Sequence, residues 1–207
     1  MDSTCTACRS AGKKLMLKGE KCNSPKCALV QRNYPAGFHG NSTKRKNKVS
    51  QFGQQLAEKQ HAKKIYGMRE KQFRLFFERG NKKGGDAGEN LLRLLEMRLD
   101  NVIYRLGIAS SRPQARQMVS HAQFLVNDKK VNIASYIVKE GDIIKIKKSK
   151  RSKKTFVDVL TKVKAAHIPG WLNFDVSEEY GKVLHAPGEA DFDKTINRQA
   201  IVEFYSK

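Results

Sequence analysis

Apolar residues recur at helical spacing through most of this chain, and short β-branched runs mark one stretch near its middle. Leu99, Val102, Ile103 and Leu106 fall at i, i+3, i+4 and i+7, which gives a helix one apolar face that Gly107 then ends as a left-handed cap. Ser111 stands where a second helix needs an N-cap, with Gln114 three residues on as its capping-box partner. Ala115, Met118 and Val119 form the inward stripe of that helix. Phe124–Val126 and Val131–Ile133 then read as strands on either side of a turn at Asn127–Lys130. A turn at Gly141-Asp142 precedes a further strand, Ile143–Ile146.

Before this stretch the pattern is purely helical. Ser50 is expected to cap a helix running to Tyr66, with Phe52, Leu56 and Ile65 on its apolar side. Gly67 interrupts. Phe73, Phe76 and Phe77 follow at i, i+3 and i+4, the spacing of a core face. Gly80–Gly88 is a glycine-rich loop in which Asp86 and Glu89 form a second candidate capping box. The seam Leu91, Leu92, Leu95, Leu99, Val102 and Leu106 then predicts one continuous helix joining two domains. The segment Phe156–Val163 fits a strand or a short helix equally well. Trp171 anchors a turn, and Phe192, Ile196, Ala200, Ile201 and Phe204 suit a closing helix that packs back on the N-terminal helices. The fold class is α+β. Residues 1–95 with 165–207 form a helical domain, and residues 96–164 form a small module of two helices on a short antiparallel sheet.

Charge narrows the function. The 207 residues carry 41 Lys or Arg against 20 Asp or Glu, a formal charge of +21, which calls for a polyanionic partner. The chain has no long apolar run and no lipid anchor, so no membrane partner is expected. Met1–Cys5 lacks the pattern of an export signal, and a cytoplasmic protein with reduced cysteines is expected. No Walker loop, dinucleotide fingerprint or paired acid and base is present, and the five histidines are scattered, so an enzyme is not expected.

All four cysteines lie near the N-terminus, as Cys5-x2-Cys8 and Cys22-x4-Cys27. Two such clamps fill the shell of one tetrahedral ion, and four sulfurs leave no open catalytic position. Structural zinc is the expected cofactor, with an iron–sulfur cluster as the alternative on the same ligands.

Cations sit at chosen places. Arg112 and Arg116 are four apart, and Arg98 and Arg105 seven apart, so the two module helices are expected to present a fork array to phosphates. Lys44, Arg45, Lys46 and Lys48 form a basic arm beside Tyr34, Phe38 and His39, which could stack on unpaired bases. Lys63, Lys64, Arg69, Lys71 and Arg74 cover the outer faces of the N-terminal helices. Lys145–Lys154 holds seven cations and is expected to face RNA. His121 ends the second module helix and suits a phosphate or base contact. Near the C-terminus the sign reverses at Asp175, Glu178, Glu179, Glu189, Asp191 and Asp193, which suits a basic protein neighbour.

The run R-L-D-N-x-x-x-R-L-G-x-A-x-S-R-x-x-A-R-Q-x-V-x-H, from Arg98 to His121, resembles the RNA-binding module named after bacterial small-subunit ribosomal protein S-four. The words V-S-Q-F-G-Q-Q-L-x-E-K-Q and Y-G-M-R-E-K-Q-F-R resemble that family outside the module, and the likeness runs from Cys5 to the terminal V-E-F-Y-S-K. Four cysteines occur in some of its members. The resemblance implies a structural constituent of the small subunit that binds a helical junction in the 5′ domain of its rRNA and nucleates assembly. It further implies a lining for the path by which mRNA enters, an effect on accuracy through protein S-five, contacted by the acidic C-terminal region, and repression of its own mRNA in some bacteria. Tyr66, Ser111, Gln117, Lys129 and Lys130 join the cations and His121 above as candidate RNA contacts. Two departures stand out. Ala122-Gln123 replaces the Gly-His that often follows His121, and Asp128 replaces a turn glycine.

Overall fold

The structure, a computed structural model, describes residues 4–41, 48–151, 156, 168–175 and 177–206. Three short helices, α1 (Thr4–Ala11), α2 (Glu20–Asn23) and α3 (Ala28–Gln31), gather the N-terminal segment. Helices α4 (Gln51–Ile65), α5 (Glu70–Asn81) and α6 (Ala87–Glu96) build the first core. Helices α7 (Leu99–Arg105) and α8 (Arg112–Ser120) pack on a sheet to build the second. After the sheet come α9 (Lys148–Arg151), which follows the third strand, and the closing helix α10 (Arg198–Tyr205). No helix among the described residues is long and apolar enough to cross a membrane.

Phe73, Phe76 and Phe77 of α5 are all buried, as their spacing predicts. At roughly 2–3 kcal/mol for each buried side chain, they are the main anchor of the first core. Around them lie Leu15, Ile65, Leu91, Leu95 and Ile201. Ser50 caps α4, its Oγ accepting from the Gly53 N–H at 3.2 Å. The buried stripe of α4 differs from the expected one. Phe52 is 53% exposed and Leu56 half-buried, whereas Gln55 and Lys59 are buried. Their polar ends are satisfied in place. The Gln55 amide donates to Glu203 Oε2 at 2.7 Å, and the Lys59 ammonium pairs with Glu70 while lying 4.4 Å from the centre of the Phe204 ring. Residue-type hydrophobicity misses such a stripe because these side chains bury their stems and keep their heads bonded.

The continuous helix expected from Leu91 to Leu106 is broken. Arg98 has extended backbone (φ −71°, ψ 138°) and bridges Ile137 in antiparallel fashion. Leu99 N–H donates to Tyr136 O at 2.8 Å, and Val138 N–H to Met97 O at 2.9 Å. The break has a packing cause. Leu91, Leu92 and Leu95 face the first core, while Leu99, Val102, Ile103 and Leu106 face the second, and a straight helix could not serve both.

The sheet has five antiparallel strands in the order β2-β1-β3-β5-β4: β1 (Phe124–Val126), β2 (Lys129–Val131), β3 (Ile143–Ile146), β4 (Leu172–Asp175) and β5 (Tyr180–Val183). The hairpin between β1 and β2 is tighter than expected. Val126 pairs with Lys129 across Asn127 (φ 49°) and Asp128 (φ 62°), a type I′ turn, so Lys129 and Lys130 lie in β2. A second correction concerns the domain boundary at 165. Trp171, Leu172, Phe174 and Val183 belong to the second core, so the module runs on through β5, and the return to the first core is made by Phe192, Ile196 and Ile201. Phe156 is buried against Phe124; the rest of the expected element Phe156–Val163 lies outside the described residues.

Candidate nucleic-acid interface

The centre of the site is a buried carboxylate between the two cores. Glu96 ends α6 with its side chain 0% exposed. Its Oε1 accepts from Tyr66 Oη at 2.7 Å and from Arg105 Nη2 at 2.8 Å; its Oε2 accepts from Arg105 Nε and Asn101 Nδ2, both at 2.8 Å. Arg112 joins through Asn101, donating from Nε to Oδ1 at 2.8 Å, and its guanidinium lies between the Tyr66 and Tyr104 rings. Burial pushes the Glu96 carboxyl up, but the Arg105 bonds and the Arg105 and Arg112 charges outweigh it and hold it below its ordinary value. Burial, with Glu96 beside it, raises the Tyr66 hydroxyl well above its own. Two guanidiniums therefore share one buried carboxylate.

These bonds revise the expected fork array. Arg98 is fully buried, its Nε and Nη2 bonded to both oxygens of Asp100 at 3.0 and 2.7 Å, and it faces the first core beside Phe76. Arg105 and Arg112 are tied into the Glu96 node. Arg98 and Arg105 do not share one face, since the helix starts only at Leu99. Ser111 is buried and spends its hydroxyl on the Gln114 N–H at 3.4 Å; Gln114 Oε1 turns to Ser110 rather than completing the box. Asp86 likewise caps α6 alone, through Gly88 N–H at 2.8 Å, because Glu89 pairs with Arg93. Of the partners, Asp100 and Asn101 were in the quoted motif and Glu96 stands two residues before it; their nearness to the arginines in sequence was the available signal.

What the node supports is an open cleft of about 880 Å³. Its walls come from α1 (Thr4, Ala7), the end of α4 (Gln60, Lys63, Lys64), the loop Tyr66–Arg69 and the start of α8 (Arg112, Pro113, Arg116). Gly67 makes the loop turn. At φ 59° it closes a Schellman motif on α4, with Gly67 N–H on Lys64 O and Met68 N–H on Lys63 O. Arg116 Nη1 reaches over to donate to Gly67 O at 2.5 Å. Six expected residues, Lys63, Lys64, Tyr66, Arg69, Arg112 and Arg116, thus line one cleft with five cations and a single carboxylate, Asp100. Gln60, Gln72 and Pro113 line it too and were not anticipated.

Other expected contacts lie apart from the cleft. Lys71 and Arg74 are exposed on α5, where Arg74 pairs with Glu78 at 3.0 Å. Gln117 and His121 are exposed on and just after α8, Lys129 and Lys130 on the edge strand β2, and Lys48 before α4. Lys44, Arg45 and Lys46 lie outside the described residues, as do Lys153 and Lys154 of the later basic run. Much of the acidic region does local work. Asp175 caps the turn at Ser177 and Glu178, Asp191 Oδ2 accepts from Gly188 N–H, Asp193 binds Thr195, and Glu189 pairs with Arg198.

All four cysteines are free thiols and line one small cavity of about 20 Å³ with Leu17, Lys18 and Lys21. Cys22 Sγ accepts from the Lys18 backbone N–H at 3.3 Å. Burial, followed by the charges of Cys22, Cys5 and Cys27, raises the Cys8 thiol above its ordinary value. Among the described residues no three His, Cys, Asp or Glu side chains already stand as a closed metal site.

Comparison with known proteins adds a lineage to this geometry. Residues 1–96 match the family described as "Ribosomal protein S4/S9 N-terminal domain", and residues 97–144 match "S4 domain". The chain is 51% identical over 203 residues to the small ribosomal subunit protein uS4 of Caldicellulosiruptor saccharolyticus, covering 98% of this chain and 96% of the relative. It is 47% identical to uS4 of Syntrophomonas wolfei over 206 residues (100% and 98%) and 50% identical to uS4A of Clostridium perfringens over 205 (99% and 97%). The chain belongs to the uS4 family of small ribosomal subunit proteins, the S-four family that its motifs resemble.

Proposed function

We propose that this chain is a non-catalytic structural constituent of the small ribosomal subunit that works by binding rRNA. The observation that carries the reading is the cleft between the two cores, where Lys63, Lys64, Arg69, Arg112 and Arg116 converge around a rigid node. Such an array suits folded RNA, which is recognised by shape and phosphate geometry more than by base edges. The relatives' names as small-subunit proteins support the same assignment. Its place of work is then the ribosome in the cytoplasm.

The finer reading follows the family resemblance. The RNA is a helical junction in the 5′ domain of small-subunit rRNA, and capture of that junction nucleates assembly. The protein also lines the path by which mRNA enters, influences accuracy and can repress its own mRNA. Exposed Glu178 and the acidic turns around it offer a surface of opposite sign to a basic neighbour such as protein S-five.

The donor set at the N-terminus fits a structural ion. Four thiols face one cavity, a backbone N–H already lies on Cys22 Sγ, and Lys18 and Lys21 offset thiolate charge. Cys5, Cys8, Cys22 and Cys27 would hold zinc, or an iron–sulfur cluster on the same ligands, and the metal would supply folding energy to a segment with little core. Metal analysis of the purified protein reads this directly: one zinc per chain, lost on substituting Cys8 and Cys27 by Ser.

The test of the main reading is binding to transcripts. Tight, salt-sensitive binding to the 5′ domain of small-subunit rRNA, and not to large-subunit rRNA of equal length, is expected. Equal affinity for both would overturn it.

A further inference from the structure

The loop Tyr34–Gly40 presents one aromatic ring to solvent. Phe38 is 97% exposed, far more than any other large apolar side chain among the described residues. The loop that carries it is held at its first two residues. Arg9 of α1 donates from Nε to Tyr34 O and from Nη2 to Pro35 O, both at 3.1 Å, and its guanidinium lies 4.6 Å from the centre of the Tyr34 ring. The Tyr34 ring is thereby in contact with Arg9 and half-buried.

At the tip, Gly40 N–H donates to Gly37 O at 3.1 Å and closes a turn with Phe38 and His39 at its corners. A Cβ on Gly40 would come within 1.9 Å of Pro35 O, so the turn admits only glycine there. His39 meets the Phe38 ring edge-on, centroids 5.1 Å apart at 88°. Apart from this contact the ring lies open to solvent.

The sequence on either side of the loop says what such a ring can receive. Between Glu20 and Glu58 the sequence has Lys21, Lys26, Arg32, Lys44, Arg45, Lys46 and Lys48 and no Asp or Glu. A partner here must combine negative charge with a flat apolar face. An unpaired nucleotide of RNA has both, a phosphate on each side and a base between. An apolar protein pocket would meet the ring but would gain nothing from the cations.

We propose that Phe38 is a stacking platform for a single unpaired base of the bound RNA, with no preference among bases. The proposal rests on the RNA-binding reading above and adds the place and chemistry of one contact. Stacking on a pre-set ring avoids the cost of ordering it, and loss of such a contact weakens binding by about tenfold.

The test is tryptophan fluorescence of F38W with binding measured alongside. Trp171 is fully buried, so the wild-type signal serves as a constant background. On titration with the 5′-domain rRNA transcript, F38W emission is expected to be quenched at the stoichiometric point. F38A should bind about tenfold more weakly with an unchanged dependence on salt, since no ion is released by stacking. Wild-type affinity in F38A, together with unchanged F38W emission, would overturn the proposal while leaving RNA binding intact. A blue shift only on incorporation into subunits, and not on naked RNA, would also overturn it and point to a protein pocket. Failure of the wild-type chain to bind the transcript at all would overturn the RNA-binding reading itself, and this proposal with it.

Discussion

Glu96 accepts both donors of the Arg105 guanidinium fork, each at 2.8 Å, with the carboxylate removed from solvent. This pair joins the last residue of α6 to the last residue of α7, across the break at Arg98. It holds the two cores at a fixed angle and so gives the basic cleft its shape. Removing one partner from a buried pair leaves the other charge uncompensated, which costs about 3–5 kcal/mol. Glu96→Gln should therefore lower the free energy of unfolding by an amount in that range, read as a lower denaturation midpoint at unchanged m-value. A loss within the range of a surface pair, under about 1 kcal/mol, would mean that the node is peripheral to stability.

Cations without a protein partner should behave differently. Neither the Lys64 ammonium nor the Arg69 guanidinium makes a hydrogen bond or ion pair among the described residues, although both residues line the cleft. Lys64→Ala and Arg69→Ala should leave thermal stability unchanged. Each should reduce the slope of log K against log salt for rRNA by about 0.8. Arg98→Ala, in contrast, should destabilise the fold with no separate effect on the slope, because its guanidinium is spent on Asp100.

That contrast shows what the sequence could and could not reveal. The α+β class, the module helices, the caps at Ser50 and Ser111 and the burial of Phe73, Phe76 and Phe77 are local in origin, and periodicity carries them. The role of an arginine is not local. Arg98 and Arg116 look alike in the sequence, and only the fold puts Asp100 against one and the Gly67 carbonyl against the other. The domain boundary was hidden for a related reason. Leu172, Phe174 and Val183 alternate inward, but each strand has four residues and sits amid carboxylates, so the change of charge masked the change of period.

His61 should make stability depend on pH. It is buried at 4% exposure, neither ring nitrogen has a hydrogen-bond partner, and Nδ1 stops 3.8 Å from Glu58 Oε2. Burial first, then the Lys13 charge, pulls its pKa below the ordinary 6.5, against the opposing pull of Glu58 and Asp193. The unfolded chain therefore binds the proton more readily. Stability is independent of this group above pH 6.5 and falls as the pH drops from there through the folded value. Melting temperatures between pH 7 and 5 should decline in the wild type and decline less in His61→Gln. Parallel curves would show that His61 takes no part.

Ala122 offers a gain. It occupies the left-handed position of a Schellman motif on α8, with φ 51°, Ala122 N–H on Val119 O at 2.7 Å and Gln123 N–H on Met118 O at 3.3 Å. The same motif on α4 uses Gly67. A Cβ in this region costs about 1–2 kcal/mol, of which the greater freedom of glycine in the unfolded chain returns a part. Ala122→Gly should stabilise the module by about 0.5–1 kcal/mol in chemical denaturation, and a loss of stability would contradict the assignment of strain there.

The most direct test of the whole account is to crosslink the protein to RNA in living cells and sequence what is attached. The account predicts crosslinks concentrated on one junction of small-subunit rRNA, with peptide attachment sites in the cleft loop Tyr66–Arg69, on α8 and at Phe38. Crosslinks scattered over tRNA, large-subunit rRNA and many mRNAs would contradict it.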